Sequence, residues 1–196
     1  MKKIGLLLLS MSFILFACDS GKEEETGNKN VCDVDLDCDT ADMSGYENFD
    51  DEDHVFLEIN FDEATKLLET DDFDGIIYFG YPTCPWCIEA LPIMNEVAKE
   101  KELSIYYVNK KSDINQENPE WEQAATDILD AAYGLDKDDD GNPRIYVPEV
   151  IVVKDGEVVA HHMGTLDDHD ATERKMSDDE KEEVKEIYEE MFSKLQ

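Results

Sequence analysis

The sequence is short of basic residues and of long apolar segments, and both shortages limit the functions open to it. It has 17 lysines and arginines against 50 aspartates and glutamates, which gives a formal net charge of −33. That charge excludes nucleic acid as an electrostatic partner and disfavours binding to anionic lipid headgroups. The apolar segment at residues 4–16 is too short to be a comfortable membrane span. The sequence also lacks a phosphate-binding loop, a dinucleotide fingerprint and a serine–histidine–acid spacing.

Residues 1–17 have the pattern of a secretory signal peptide, in which a basic start precedes an apolar segment. The segment ends in Leu15-Phe16-Ala17-Cys18, which resembles the cleavage site of bacterial lipoprotein signals. The resemblance implies that Cys18 carries lipid after cleavage. It also implies that the mature protein is anchored to the extracytoplasmic face of the bacterial cell membrane. The alternative is an ordinary secretory signal peptide, in which case Cys18 is incidental.

Residues 18–53 are acidic and contain few large apolar side chains, so they cannot offset the entropy lost when a chain becomes ordered. We expect them to form a flexible tether that leads to a single domain at residues 54–196. The tether contains Cys32 and Cys38, and we expect a local disulfide between these two cysteines. Exchange with a second cysteine pair and metal binding are the alternatives.

Hydrophobic periodicity from residue 54 onward predicts the element order β-α-β-α-β-α-β-β-α. Asn60 with Glu63, and Ser177 with Glu180, have the spacing of capping boxes that begin the first and last helices. The predicted strands are apolar or alternating segments, at residues 55–59, 76–81, 104–109, 145–153 and 157–163. This order predicts an α/β fold in which helices cover both faces of a central mixed sheet.

Cys84 and Cys87 form a Cys-Pro-Trp-Cys segment between a predicted strand and a predicted helix. This placement puts the sulfur of Cys84 at a helix N-terminus, where unpaired N–H groups and the helix dipole favour the thiolate. Cys87 lies within one helical turn, which is close enough for a disulfide. The pair therefore has the pattern of a dithiol–disulfide exchange site. Zinc binding would need two further ligands, which Cys32 and Cys38 could supply only from the tether.

With these elements in place, residues 54–195 resemble a thioredoxin-fold domain. Besides the two cysteines, the resemblance depends on Pro92 in the following helix and on Val147-Pro148, which matches the family's cis-proline site. The Lys-Asp-Gly-Glu turn at residues 154–157 and the later Gly164 also match. Together these features are more specific than the cysteine pair alone.

The resemblance implies roles for five residues around the proposed redox centre. Cys84 would attack a substrate disulfide and Cys87 would resolve the mixed disulfide, while Trp86, Val147 and Pro148 would contact the substrate. No organic cofactor is required, because the Cys84–Cys87 disulfide is itself the redox centre. The expected protein is a membrane-tethered monomer that exchanges disulfides with protein or peptide thiols.

The sequence also departs from the family at the positions that control proton transfer. Tyr78 stands where thioredoxins have a buried aspartate, so no carboxylate is available there to accept the proton of the second thiol. Glu89 or a water molecule could substitute for it. The dipeptide between the cysteines is Pro-Trp, and because this dipeptide affects the reduction potential, the direction of exchange stays open.

The rival interpretation is a non-catalytic accessory or binding lipoprotein, by similarity to small extracytoplasmic thioredoxin-like proteins that assist peptide export. Its acidic loops would hold a partner or calcium. Aspartates at alternate positions followed by Gly141 match the first half of an EF-hand-type loop, but Val147 occupies the position of the closing glutamate. We expect either an acidic solvated turn or a calcium site formed by Asp136, Asp138, Asp140 and the Asn142 carbonyl.

Overall fold

The computed structural model describes residue 36 and residues 38–196. Its α-helices and strands follow the expected order with one short additional α-helix, and a 3-10 helix at Ser193–Leu195 ends the chain. In chain order they are β1 (Phe56–Ile59), α1 (Phe61–Leu68), β2 (Gly75–Gly80), α2 (Pro85–Glu100), β3 (Ile105–Asn109), α3 (Asp113–Glu117), α4 (Pro119–Tyr133), β4 (Glu149–Lys154), β5 (Glu157–Met163) and α5 (Asp178–Phe192). The proposed signal peptide, Cys18 and Cys32 lie outside the described residues. No helix within the described part of the chain is long and apolar enough to cross a bilayer.

The five strands form one mixed sheet in the order β1-β3-β2-β4-β5. Strands β1, β3 and β2 are parallel, whereas β4 runs antiparallel to β2 and β5 runs antiparallel to β4. All six residues of the central strand β2 are buried, as expected for a strand covered on both faces. This topology is the thioredoxin-like α/β fold that the sequence predicts.

Alternate side chains of β2 point into two separate cores. Ile76 and Tyr78 pack with residues of α2 and α5 on one face, whereas Ile77 and Phe79 pack with residues of α1 and α4 on the other. This alternation follows from the two-residue period of a strand. The Cys84–Cys87 pair begins α2, so it belongs to the core that contains Tyr78.

Both predicted capping boxes are confirmed, at Asn60–Glu63 and at Ser177–Glu180. The late strand, however, begins at Glu149 and not at Ile145. The reason is Pro148, which has no backbone N–H to donate to a sheet and is preceded here by a cis peptide bond. Residues 145–148 therefore form a connecting segment that leads past the N-terminus of α2.

The flexible tether expected up to residue 53 does not extend that far, because residues 39–49 pack against the domain. The backbone N–H of Ala41 donates to Phe56 O at 3.0 Å, and the N–H of Glu58 donates to Asp39 O at 2.9 Å. These bonds cover the outer edge of β1, which would otherwise expose unpaired backbone groups. Met43 and Tyr46 are each only 3% exposed. A few apolar side chains thus suffice to dock an otherwise acidic segment.

Cys38 forms a disulfide, whereas Cys84 and Cys87 are free thiols. Cys38 is therefore not bonded to either cysteine of the Cys-Pro-Trp-Cys segment. The expected partner, Cys32, lies outside the described residues, so the Cys32–Cys38 pairing stays a prediction.

The docked segment makes a prediction about stability. Met43→Ala should lower the free energy of unfolding by about 2–5 kcal/mol, because it leaves a cavity in the core. Glu47→Ala, at an exposed position in the same segment, should change it by less than about 0.5 kcal/mol. Chemical denaturation of both variants measures the difference. Equal and negligible effects would mean that residues 39–49 are not packed in solution.

Candidate active site

Cys84 is the N-cap residue of α2, and its sulfur lies at the start of the helix. Strand β2 ends at Gly80, and Pro85 occupies the first helical turn, where its missing N–H is not needed. The Cys84 sulfur accepts a hydrogen bond from the backbone N–H of Cys87 at 3.3 Å. In the thiol form it donates to the carbonyl oxygen of Val147 at 3.6 Å. The predicted position of this sulfur at a helix N-terminus is therefore observed.

The two thiols are in unlike environments and differ in acidity. The pKa of Cys84 is lowered, mainly because the Cys87 thiol donates a hydrogen bond to its sulfur. The backbone N–H groups of Cys87 and Trp86 and the positive charge of Lys111 lower it further, and burial opposes them. The pKa of Cys87 is raised, first by burial and then by its interaction with Cys84. Cys84 therefore ionises first while Cys87 keeps its proton, which is the order that nucleophilic attack by Cys84 requires.

Three tyrosine hydroxyls form a buried cluster beneath Cys87. The Tyr46 hydroxyl lies 3.2 Å from the Tyr78 hydroxyl and 3.0 Å from the Tyr107 hydroxyl. Tyr78 and Tyr107 are register partners on β2 and β3, and their rings stack with centroids 5.3 Å apart. A hydrogen bond from the Tyr78 hydroxyl lowers the pKa of Cys87, in opposition to burial. Tyr78, which stands where a thioredoxin would have a carboxylate, thus donates a hydrogen bond from a neutral hydroxyl to the Cys87 sulfur.

Gly80 makes room for this arrangement. A Cβ atom at this position would lie only 2.2 Å from the Tyr78 hydroxyl oxygen, which is closer than real side chains allow. The sequence gives no signal of this contact between Tyr78 and Gly80. Residues two positions apart on a strand share a face but normally do not approach each other so closely. Gly80 therefore belongs to the supporting structure of the site.

Glu89 does not take the place of the missing aspartate. Its carboxylate accepts a hydrogen bond from the backbone N–H of Met176 at 3.0 Å, just before α5 begins. It also lines a cleft of about 460 Å³ between α2 and α5, together with Pro92 and Lys185. This position ties α2 to α5 and gives Glu89 no place in the Cys87 environment.

The expected substrate-contacting residues are brought together around Cys84. The Trp86 indole N–H donates to the carbonyl oxygen of His169 at 3.3 Å, which holds the ring beside the cysteines. The Pro148 carbonyl accepts a hydrogen bond from the N–H of Gly164 at 2.8 Å, so the late glycine fixes the cis-proline segment. Trp86 and Val147 line a cleft of about 440 Å³ that opens onto Cys84. Access to the reactive sulfur is through this cleft, because Cys84 is only 2% exposed.

The loop at residues 136–142, for which the sequence predicts either a solvated turn or a calcium site, is closed by hydrogen bonds of its own. The Asp138 carboxylate accepts hydrogen bonds from the backbone N–H groups of Asp140 and Asn142, at 3.0 and 2.9 Å. The Asn142 carbonyl, a proposed ligand, accepts the N–H of Asp138 at 2.9 Å. Among the described residues, which include Asp136, no three histidine, cysteine or carboxylate side chains are grouped so that they could hold a metal ion. The segment is a turn closed by its own hydrogen bonds.

Glu149 is a buried carboxyl directly after Pro148 that sequence reasoning missed. It is 2% exposed and accepts a hydrogen bond from the Tyr133 hydroxyl at 3.1 Å. His161 Nδ1 lies 3.2 Å from the same oxygen, and its ring stacks on that of Tyr133 at 3.9 Å. Burial raises the pKa of Glu149 to about 7. The sequence signal for this buried carboxyl was a glutamate at the start of an apolar strand.

Solved structures similar to this chain have low sequence identities and low TM-scores. A thioredoxin-fold protein proposed to be an oxidoreductase is 14% identical with a TM-score of 0.40, over 56% of this chain and 83% of its own. Thioredoxin O2 from Arabidopsis thaliana, in its oxidised state, is 17% identical with a TM-score of 0.39, over 61% and 88%. Thioredoxin from Aeropyrum pernix is 20% identical with a TM-score of 0.36, over 55% and 74%. No protein-family model matches the sequence, and no curated protein is detectably similar. The fold assignment therefore depends on the strand order, and no activity follows from these similarities.

The ionisation of Cys84 gives a prediction that alkylation can test. In the reduced protein, Cys84 should react with iodoacetamide with a pH midpoint below its ordinary value of 9.0, whereas Cys87 should stay unmodified. Lys111→Gln should move this midpoint upward, because it removes a positive charge that favours the thiolate. Lys101→Gln, at the far end of α2, is the matched control. Peptide mass mapping identifies the alkylated cysteine, and a midpoint at or above 9.0 would contradict the assigned order of ionisation.

The buried Glu149 carboxyl predicts a specific pH dependence of stability. Its pKa is about 7 when folded against an ordinary value of 4.5, so the folded state holds the proton more tightly than the unfolded state. Stability should therefore fall as pH rises from about 4.5 to about 7, by up to about 3 kcal/mol. Glu149→Gln imitates the protonated acid and should stabilise the protein more at pH 8 than at pH 5.

Urea denaturation of both proteins at the two pH values measures this difference. Glu157→Gln, on an exposed position of β5, removes the same charge and serves as the control. An effect of Glu149→Gln that is equal at both pH values would show that this carboxyl does not titrate within the window.

Proposed function

We propose that this protein is a membrane-tethered, extracytoplasmic thiol–disulfide oxidoreductase that acts through its Cys-Pro-Trp-Cys segment. The observation that carries the proposal is the unequal acidity of two free thiols in one helical turn. A purely structural disulfide needs neither a lowered pKa at Cys84 nor a cleft leading to its sulfur. The pair itself carries the two electrons, so the reaction requires no organic cofactor.

The reduced form would act in two steps. The Cys84 thiolate attacks a substrate disulfide, forms a mixed disulfide with one substrate sulfur and releases the other as a thiolate. Cys87 then loses its proton and attacks the Cys84 sulfur, which frees the second substrate thiolate and leaves the Cys84–Cys87 disulfide. Two electrons pass from the enzyme dithiol to the substrate. The same steps in reverse oxidise a substrate dithiol.

The segment at Val147-Pro148 would orient the substrate chain for this attack. Its carbonyl oxygen at Val147 already lies 3.6 Å from the attacking sulfur. Trp86 and the cis-proline segment face the same cleft, and they would hold a peptide whose cysteine reaches Cys84. The proposed partners are therefore protein or peptide thiols and disulfides, met by a monomeric enzyme.

The location rests on the N-terminal sequence. Cleavage before Cys18 and lipid attachment there would leave a short acidic tether before the packed segment that begins at residue 39. The tether would keep the domain within reach of the outer face of the membrane. A compartment of this kind is oxidising, which is compatible with the disulfide at Cys38.

One observation favours the non-catalytic alternative, namely the low exposure of both thiols. Cys84 is 2% exposed and Cys87 is fully buried. A binding lipoprotein of this fold would not need an exposed thiol, so a buried pair of cysteines in it would serve the structure alone.

A trapping experiment separates the two functions. Cys87→Ala should hold substrate proteins on Cys84 as mixed disulfides, because the resolving thiol is absent. The Cys84→Ala/Cys87→Ala double variant is the matched control and should trap nothing. Non-reducing gels and mass spectrometry identify the adducts, and reduction of a model protein disulfide by the wild-type protein gives the activity. An empty trap together with no activity on the model disulfide would overturn the oxidoreductase proposal.

A further inference from the structure

The surface around the reactive sulfur has the opposite sign to the rest of the protein. The cleft that opens onto Cys84 is lined by three basic side chains and one carboxylate: Lys110, Lys111, Arg144 and Glu122. The whole chain, in contrast, has 17 basic residues and a net charge of −33. If the charged residues were distributed at random, carboxylates would be in excess in this cleft. The cleft is therefore a local positive site in a strongly acidic protein.

Two of these cations are held in place without an ion pair to any residue that the structure describes. Lys110 is balanced, since its ammonium pairs with Glu122 at 2.8 Å and donates to the Ile145 carbonyl at 2.5 Å. The Lys111 ammonium lies 3.7 Å from the centre of the Tyr81 ring, and the Arg144 guanidinium lies 5.4 Å from that of Tyr146. Such cation–π contacts orient a charge but leave it able to attract an anion.

Neither of these two cations forms an ion pair with a described carboxylate. Within the described part of the chain, neither Lys111 nor Arg144 has a carboxylate oxygen within the 4.0 Å of an ion pair. Arg144 does lower the pKa of Asp138, but the Asp138 carboxylate is held by backbone N–H groups of its own turn. Among the described residues, no carboxylate therefore competes with a ligand in the cleft for these two cations.

The shape of the surface favours a peptide over a compact ligand. A second cleft of about 430 Å³ adjoins Val147 and adds Asp136, Lys137 and the half-exposed Met163, so it contributes one charge of each sign. The two clefts share Trp86, Tyr146 and Val147, so together they form one groove that crosses the cis-proline segment. A chain laid along this groove would place its cysteine at Cys84 and its neighbouring side chain among the cations.

We propose that this groove selects disulfide-bonded peptides with an acidic side chain next to the reacting cysteine. The proposal rests on the oxidoreductase function above and names its substrate class. Charges separated by more than about 8 Å are largely screened at physiological ionic strength, so the cations within the groove outweigh the distant acidic surface. An acidic neighbour is attracted to Lys111 and Arg144, whereas a basic neighbour is repelled by them.

Three peptides test the selection. They carry the same disulfide and differ only in the residue beside the cysteine, which is glutamate, glutamine or lysine. The pre-reduced wild-type protein should react with the glutamate peptide about tenfold faster than with the lysine peptide, as measured by single-turnover second-order rate constants. The glutamine peptide should lie between them. The electrons come from the Cys84–Cys87 dithiol, so no other reductant enters the measured step.

Substitution of Lys111 and Arg144 then locates the selectivity. In Lys111→Gln/Arg144→Gln the ratio between the glutamate and lysine peptides should fall to near one. The ratio isolates recognition, because a change in the ionisation of Cys84 alters the rate with every peptide equally. Lys101→Gln/Lys154→Gln removes the same charge away from the groove and should keep the wild-type ratio. Lys101 follows the end of α2 opposite to Cys84, roughly 24 Å away.

The outcomes distinguish this inference from the function on which it rests. Equal rates with all three peptides would overturn the selectivity and leave the oxidoreductase function standing. A wild-type preference that persists in Lys111→Gln/Arg144→Gln would likewise overturn it. No reaction with any peptide would overturn the oxidoreductase function itself.

Discussion

The position of one sulfur atom at the N-terminus of α2 is the constraint on which the rest of the site depends. Strand β2 carries the chain to this point, Pro85 begins the helix, and the first N–H groups of α2 then surround the Cys84 sulfur. The next sulfur in the same turn, Cys87, faces inward to the core and meets no solvent. One helical turn thus separates a site that favours the thiolate from a site that favours the thiol. The difference in acidity follows first from the hydrogen bond that the Cys87 thiol donates to the Cys84 sulfur and from the burial of Cys87, and the helix N–H groups and Lys111 add to it.

The tyrosine cluster changes how the second thiol can lose its proton. Burial raises the pKa of Tyr78 well above its ordinary value, so its hydroxyl donates a hydrogen bond but cannot serve as a base near neutral pH. A carboxylate in this position could accept the proton, whereas a hydroxyl can only stabilise the thiolate after the proton has left. In the proposed exchange, the departing substrate thiolate is the acceptor that remains close to Cys87. Tyr46 completes the cluster, which links the N-terminal segment to the redox centre.

Features set by local sequence were predictable, and those set by distant contacts were not. The capping boxes, the buried strand β2 and the Cys84–Cys87 junction each depend on neighbouring residues, and the structure has all three. The docking of residues 39–49 was missed because composition measures average polarity, while the edge of β1 needs only Ala41, Met43 and Tyr46 to be covered. The hydrogen bonds of the loop at residues 136–142 were not predictable for a related reason. Spacing alone does not reveal that the Asp138 carboxylate is already satisfied by its own turn.

The charge of the groove illustrates the same limit at the level of function. The net charge of −33 does not predict the groove, which gathers cations from the two residues after β3 and from the loop before β4. These residues are more than thirty positions apart in sequence, so only the fold brings them together. Because screening confines electrostatic recognition to about 8 Å in physiological salt, a peptide held in the groove as proposed would respond to this local set of charges.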